Sequence, residues 1–143
     1  MPISKTCLPD VNVWVALVFD GHVHHQAATR WFNPIQETIA FCRVTQMGFL
    51  RLISNPKVMG KAVLTQKQAW HHYDQLLEDP RITFLNEPSG LEPVWRSVMH
   101  SQVRSRSWTD AYLMAFATAR DLTLVTFDRA LQTATDSGVT ILS

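Results

Sequence analysis

Leu122-Thr-Leu-Val-Thr-Phe-Asp128-Arg129 is a short apolar strand that ends in a carboxylate. Its leucine and β-branched residues favour extended backbone, and the alternation places Leu122, Leu124 and Thr126 on one face. Ala130-Leu-Gln-Thr-Ala, immediately after, reads as a helix. A strand that hands a carboxylate to a helix is the rim of an α/β sheet, where such sheets usually carry their sites. Taken alone, Asp128 is explained equally well as the cap of that helix. A second copy of the pattern changes the weighing. Thr6-Cys-Leu-Pro-Asp10-Val-Asn12-Val-Trp-Val also runs from an apolar strand through an acid into a helix, and a third acid, Asp110, opens the helix before the Leu122 strand.

Outward from these acids, short apolar runs alternate with helix-compatible ones. Strands are expected at 5–8, 38–42, 82–85 and 139–142 besides the one before Asp128. Helices are expected at 11–19, 22–32, 45–54, 66–77, 91–102 and around Asp110, with a loop over 58–64. Pro34, Asn55-Pro56 and Asp79-Pro80 are stop signals, and Asp10 or Asn12, Thr65, and Ser107 or Thr109 are N-cap candidates. Strands alternating with helices along the whole chain imply a parallel sheet covered on both faces, in one domain spanning 1–143.

The 143 residues suffice for a sizeable core, and a hydrophobic content of 46% argues against disorder. The net charge of +1 points to no partner class, but its distribution is uneven. Residues 1–71 hold seven Lys/Arg against three Asp/Glu, whereas the remainder holds six against nine, so one face is mildly basic. Cys7 and Cys42 both fall in expected buried strands and read as core thiols rather than a disulfide. There is no zinc-type Cys/His spacing, no apolar run long enough for a membrane span and no signal-peptide pattern, so no membrane association and a cytoplasmic location are expected. His22, His24 and His25 are too close in sequence to share one ligand face on a helix and read as structural or surface residues. The six aromatics Trp14, Trp31, Phe32, Trp70, Tyr73 and Trp95 exceed what a parallel-sheet core needs, so some are expected to line a dimer face or a partner groove.

Asp10, Asp110 and Asp128 meet at the carboxyl ends of strands if this topology holds. Unpaired carboxylates in one cleft repel, and a divalent cation or raised pKa values must relieve them. An all-oxygen set suits Mg²⁺ or Mn²⁺, which activates water and stabilises charge on a phosphoryl group. Asn12 and Thr126 are placed to support such a site. Arg104 and Arg106, just before Asp110, are either a solvated helix end or a rim that positions phosphates. Sequence patterns of P-loop NTPases, dinucleotide-binding folds and serine hydrolases are absent.

In order and spacing, four segments resemble PIN domains, and specifically the VapC-type toxins of bacterial toxin–antitoxin pairs. They are Leu8-Pro-Asp10-Val-Asn12-Val-Trp-Val-Ala-Leu17, Phe49-Leu-Arg51-Leu-Ile, Thr109-Asp110-Ala-Tyr-Leu-Met-Ala-Phe-Ala117 and Leu124-Val-Thr126-Phe-Asp128-Arg129. The resemblance covers nearly the whole chain. It implies a three-layer α/β/α fold with about five short parallel strands. It also implies a metal-dependent endoribonuclease whose acidic site is Asp10, Asp110 and Asp128, with Asn12 and Thr126 in support. A homodimer inhibited by a small antitoxin is implied as well. One departure stands out. Most such chains carry a glutamate just before the Phe49 segment, where this one has Gly48, so the fourth carboxylate is missing; Gln46 is a possible oxygen donor in its place. The vacant side chain is expected to leave room for RNA or a neighbouring backbone, and Gly48→Glu to tighten metal binding if the helix presents that position to the cleft. The alternative is a PIN fold that has lost catalysis and binds RNA or protein only.

Overall fold

A computed structural model describes residues 5–100, 107–134 and 138–143. Five parallel strands, β1 (Cys7–Pro9), β2 (Ile39–Phe41), β3 (Ile82–Phe84), β4 (Thr123–Thr126) and β5 (Val139–Ile141), form one sheet in the order β3-β2-β1-β4-β5. Their helices are α1 (Val11–Val18), α2 (His25–Phe32), α3 (Arg43–Ile53), α4 (Pro56–Met59), α5 (Gln66–Leu77), α6 (Leu91–His100) and α7 (Trp108–Arg120). The expected three-layer α/β/α architecture is present.

Alternation along the strands assigns the layers. Leu8, Ala40, Cys42 and Leu124 face one side, where they pack with Leu91 of α6 and residues 112–117 of α7. Ile39, Phe41 and Ile82 face the other side, against Trp14 and Val15 of α1, Phe49 and Ile53 of α3, and Ala69 and Tyr73 of α5. The second layer is unusually aromatic for a parallel sheet. Trp14 stacks on Phe41 with ring centroids 3.8 Å apart, and the edge of Tyr73 meets Phe41 at 5.0 Å. The aromatic surplus is therefore divided. Trp14 and Tyr73 are core, Trp31, Phe32 and Trp95 are half-buried, and Trp70 is 50% exposed.

Several boundaries differ from the expectation for identifiable reasons. Pro9 is the last residue of β1 rather than the residue beyond it. Its missing N–H falls on the β2 side, where pairing is held at Cys7↔Ile39, while β1 and β4 pair over three residues. The stretch expected as a loop at 58–64 begins inside α4 and continues as a 3-10 turn over Gly60–Ala62. Asn55 caps α4 through Lys57 N–H at 2.9 Å, and Pro56 occupies the first turn, where its lost donor costs nothing. α2 starts at His25 rather than at 22. The helix expected after Asp128 is a 3-10 helix, Arg129–Ala134. Cys7 and Cys42 are both free and buried, and burial, with Glu37 adding, pushes the Cys7 thiol up to about 11. No helix among the described residues is long and apolar enough to cross a membrane.

The link from α2 to β2 is fastened by one side chain. Arg81 donates to the carbonyls of Phe32 at 2.6 Å and Ile35 at 2.7 Å, pairs with Asp79 at 2.7 Å, and lies over the Phe32 ring. Arg81→Ala is expected to cost about 2 kcal/mol, because two carbonyls and a carboxylate lose a charged donor together. Urea denaturation of the two proteins measures it.

Candidate active site

The register of β1 against β4 builds the site. Pairing Pro9 with Val125 sets Asp10 beside Thr126, one strand spacing away, and Asp10 N–H donates to the Val125 carbonyl at 2.9 Å. Asp10 leaves the sheet in extended backbone and caps α1, accepting Val13 N–H on Oδ1 at 3.2 Å and a further N–H from Asn12. On the other carboxylate oxygen, Oδ2, it accepts a hydrogen bond from the fully buried Thr126 hydroxyl. The same hydroxyl oxygen accepts Asp128 N–H at 3.0 Å. Thr126 is thus held from both sides, and its orientation fixes the rotamer of Asp10.

Asp110 approaches from the opposite layer. Ser107 caps α7 by accepting Asp110 N–H at 2.9 Å, which settles the choice between Ser107 and Thr109 and places Asp110 in the first turn, where the helix dipole favours an anion. The sequence of α7 explains how it lies so close to the sheet. Ala111, Ala115 and Ala117 are buried, and Tyr112 donates its hydroxyl to Glu87 at 2.7 Å. Asp10 senses the charge of Asp110. Burial raises the Asp10 pKa above its ordinary value of 3.8, its hydrogen bonds with Thr126 and Val13 pull it back, and the Asp110 charge raises it further.

Asp128 is placed differently. It follows β4 as expected, but its carboxylate accepts Ala130 N–H at 3.0 Å and so caps the 3-10 turn, while the side chain is exposed. Among the described residues no group of three His, Cys, Asp or Glu side chains is arranged to hold a metal ion. The structure therefore joins Asp10, Asp110 and Thr126, and ties Asp128 to them through its backbone. The donor chemistry of the Asp10–Asp110 pair still fits a hard divalent cation. These are carboxylate oxygens, one set of them raised in pKa by burial and further by the neighbouring charge, and a cation relieves that charge. The Asn12 side chain is exposed, and the residue's contribution here is its backbone N–H. Arg104 and Arg106 lie outside the described residues.

Gly48 corrects an expectation. It is buried in α3, and a Cβ built there meets the Val11 γ2 methyl at 2.6 Å. What occupies the space is the side chain next to Asp10, neither RNA nor a backbone. Gln46 is also committed. It is buried, accepts from Arg43 and hydrogen-bonds the Tyr73 hydroxyl, so its oxygen is engaged away from the acids. Arg43 is a residue that sequence reasoning missed. It stands two residues beyond the end of β2, one further than Asp10 stands beyond β1, so the strand-end rule was the signal that could have found it. Each of the three histidines is engaged, and they do not converge on one point. His22 Nδ1 accepts His24 N–H at 3.0 Å, His24 stacks on Phe127 at 4.3 Å, and His25 Nδ1 meets the Ala16 carbonyl at 2.7 Å.

Comparison with known proteins identifies the family and the fold. The PIN domain family model matches residues 7–136. The chain is 42% identical over 130 residues to Ribonuclease VapC41 of Mycobacterium tuberculosis, covering 86% of this chain and 89% of that one. It is 33% identical over 139 residues to Ribonuclease VapC44 of the same organism, covering 93% of each. The crystal structure of M. tuberculosis VapC20, a sarcin-ricin loop cleaving toxin, superposes with a TM-score of 0.71 at 15% identity over 96% of this chain and 99% of that one, a likeness of fold. With its family model spanning most of the residues and its strand-end acids on the expected rim, this chain belongs to the PIN-domain family, in its VapC-type branch.

Proposed function

We propose that the protein is a metal-dependent endoribonuclease acting as the toxin of a toxin–antitoxin pair. The observation that carries this reading is the Asp10–Asp110 pair, a carboxylate raised in pKa first by burial and further by the charge of a second one, at a strand end and a helix start of a chain 42% identical to a named ribonuclease. Asp10 and Asp110 are the residues to hold Mg²⁺ or Mn²⁺, and Asp128 joins them once its cap on Ala130 is released. A divalent ion bound there supplies Lewis acidity toward a phosphoryl oxygen and a lowered pKa for a bound water. The chain's own part is preorganisation. Thr126 and the N–H groups of Asn12 and Val13 hold the Asp10 carboxylate in one orientation, so no reorganisation is needed as charge develops. The reaction adds water across an RNA phosphodiester. Arg104 and Arg106 are proposed to position flanking phosphates.

A cognate antitoxin and a homodimer belong to the same proposal. Solved relatives of the fold include toxin–antitoxin complexes, among them VapBC2 of Rickettsia felis bound to a promoter DNA fragment. Met47 at 60% and Trp70 at 50% exposure, on α3 and α5, supply an apolar surface for a second copy. A cytoplasmic location is proposed with them.

The test is cleavage of RNA by purified protein with and without Mg²⁺ or Mn²⁺. Cleavage that needs the ion and disappears in Asp110→Asn is the expected result. Asp128's use as a cap and the filled Gly48 position favour a second reading, a non-catalytic RNA-binding module. RNA that is bound but uncut at every metal concentration would establish that one instead.

A further inference from the structure

Arg43 is the first residue of α3, at the same edge of the sheet as the acids. Extending the Cys7↔Ile39 register by three residues sets Cys42 level with Asp10, so Arg43 rises one residue above it. Its side chain is exposed but not free to wander. The guanidinium lies 4.7 Å from the centre of the Phe84 ring and donates from Nη1 to the Gln46 carbonyl oxygen. Gln46 is itself buried and fixed by the Tyr73 hydroxyl, and Tyr73 is locked against Phe41. A buried amide and a buried phenol are thus spent on orienting a surface cation. Among the described residues no carboxylate pairs with it, whereas Arg81 and Arg96 each have one. An exposed arginine already held by a buried amide and a ring, with no carboxylate paired to it among the described residues, is a receptor for a phosphate oxygen, because little side-chain entropy is left to lose on binding. The guanidinium stands over β3, two strand spacings or roughly 10 Å from the strand that ends in Asp10.

We infer that Arg43, held by Gln46 and Phe84, binds a backbone phosphate of the RNA adjacent to the one cut at the acid pair. This inference rests on the endoribonuclease reading and adds the direction in which the strand leaves the site, across β2 toward β3.

The experiment is binding of a short, labelled, single-stranded oligoribonucleotide of mixed sequence to full-length protein carrying Asp10→Asn to prevent cleavage, over a series of KCl concentrations. Adding Arg43→Gln should weaken binding about tenfold. It should also reduce the slope of log affinity against log salt by about 0.7, one phosphate contact on a single strand. Adding Arg43→Lys instead keeps the slope, since the charge remains, while part of the affinity is lost with the fixed fork. In the cleaving protein Arg43→Gln should act on KM and leave kcat near its original value. An unchanged slope in the Gln variant, with RNA still bound, overturns the inference and leaves the proposed function standing. RNA that binds neither protein at any salt concentration overturns both.

Discussion

Asp10→Asn is expected to abolish RNA cleavage and, at neutral pH without divalent ions, to raise the midpoint of thermal unfolding by a few degrees. The two effects have opposite signs because one residue serves two balances. For catalysis, the variant removes a negative oxygen from the ion's donor set, and losses of this kind of transition-state stabilisation run to about a thousandfold. For stability, burial followed by the Asp110 charge raises the folded pKa of Asp10 above 3.8. A carboxyl with a raised folded pKa favours folding most when protonated, below its unfolded value. That contribution is lost as pH rises through the folded value, so the ionised group is a liability at pH 7. Asparagine keeps the N-cap to Val13 through its amide oxygen and carries no charge, while its NH2 group faces the Thr126 hydroxyl as a donor where the carboxylate accepted. The stability difference should therefore shrink as pH is lowered toward 3.8. It should also shrink when Mn²⁺ is added, because the ion stabilises the original protein only. Calorimetric melts across pH, with and without Mn²⁺, measure both. A variant that melts lower at pH 7 would show that the carboxylate's hydrogen bonds outweigh its burial and its repulsion from Asp110.

Gly48→Ala is expected to destabilise the fold by about 2 kcal/mol, although alanine is the better helix former by about 1 kcal/mol. The reason is the 2.6 Å approach of a new Cβ to the Val11 γ2 methyl. Valine is stiff at χ1 and sits directly after Asp10 at the start of α1, so it cannot swing away without disturbing the acid. Val11→Ala removes both γ carbons and leaves the Val11 Cβ position 3.5 Å from the new atom, an ordinary contact. The double variant Val11→Ala/Gly48→Ala should therefore be more stable than the sum of the single changes by at least about 1 kcal/mol. Urea denaturation of the four proteins closes the cycle, and strict additivity would refute the packing account. The cycle also makes a fourth carboxylate accessible. Gly48→Glu alone should fail by overpacking, but in the Val11→Ala background it places a carboxylate beside Asp10, and Mn²⁺ titration then reports whether affinity rises.

Much of the site was readable before any tertiary structure because strand ends announce themselves. An apolar run, an acid and then a helix is a local pattern, and Asp10 and Asp128 were found by it. Asp110 was found because it opens a helix, and Ser107 does cap that helix. The pattern fails where the decisive contact is long-range. Nothing near Gly48 indicates that Val11 fills its space, since the two are brought together only when α3 packs on α1. Local reading also ranks the Arg104–Arg106 cluster above Arg43, because clustering is visible in sequence and orientation is not. Gln46 and Tyr73, which orient Arg43, are far apart along the chain.

By itself the sequence determined the order of strands and helices, the burial of alternate strand residues, the PIN-type arrangement and the rim on which the acids stand. These follow from apolar periodicity, capping residues and stop signals, which act over a few residues and survive without knowledge of the partners. Only the tertiary structure decided how the acids divide. The β1–β4 register put Thr126 on Asp10 across 116 positions of chain, and the packing of α7 on the opposite layer brought the Asp110 charge into range. Asp128, although equally prominent in sequence, turned its carboxylate to the N–H of Ala130. A carboxylate takes whichever donor or counter-charge the fold delivers, and that choice depends on distances set by packing rather than by neighbours in sequence.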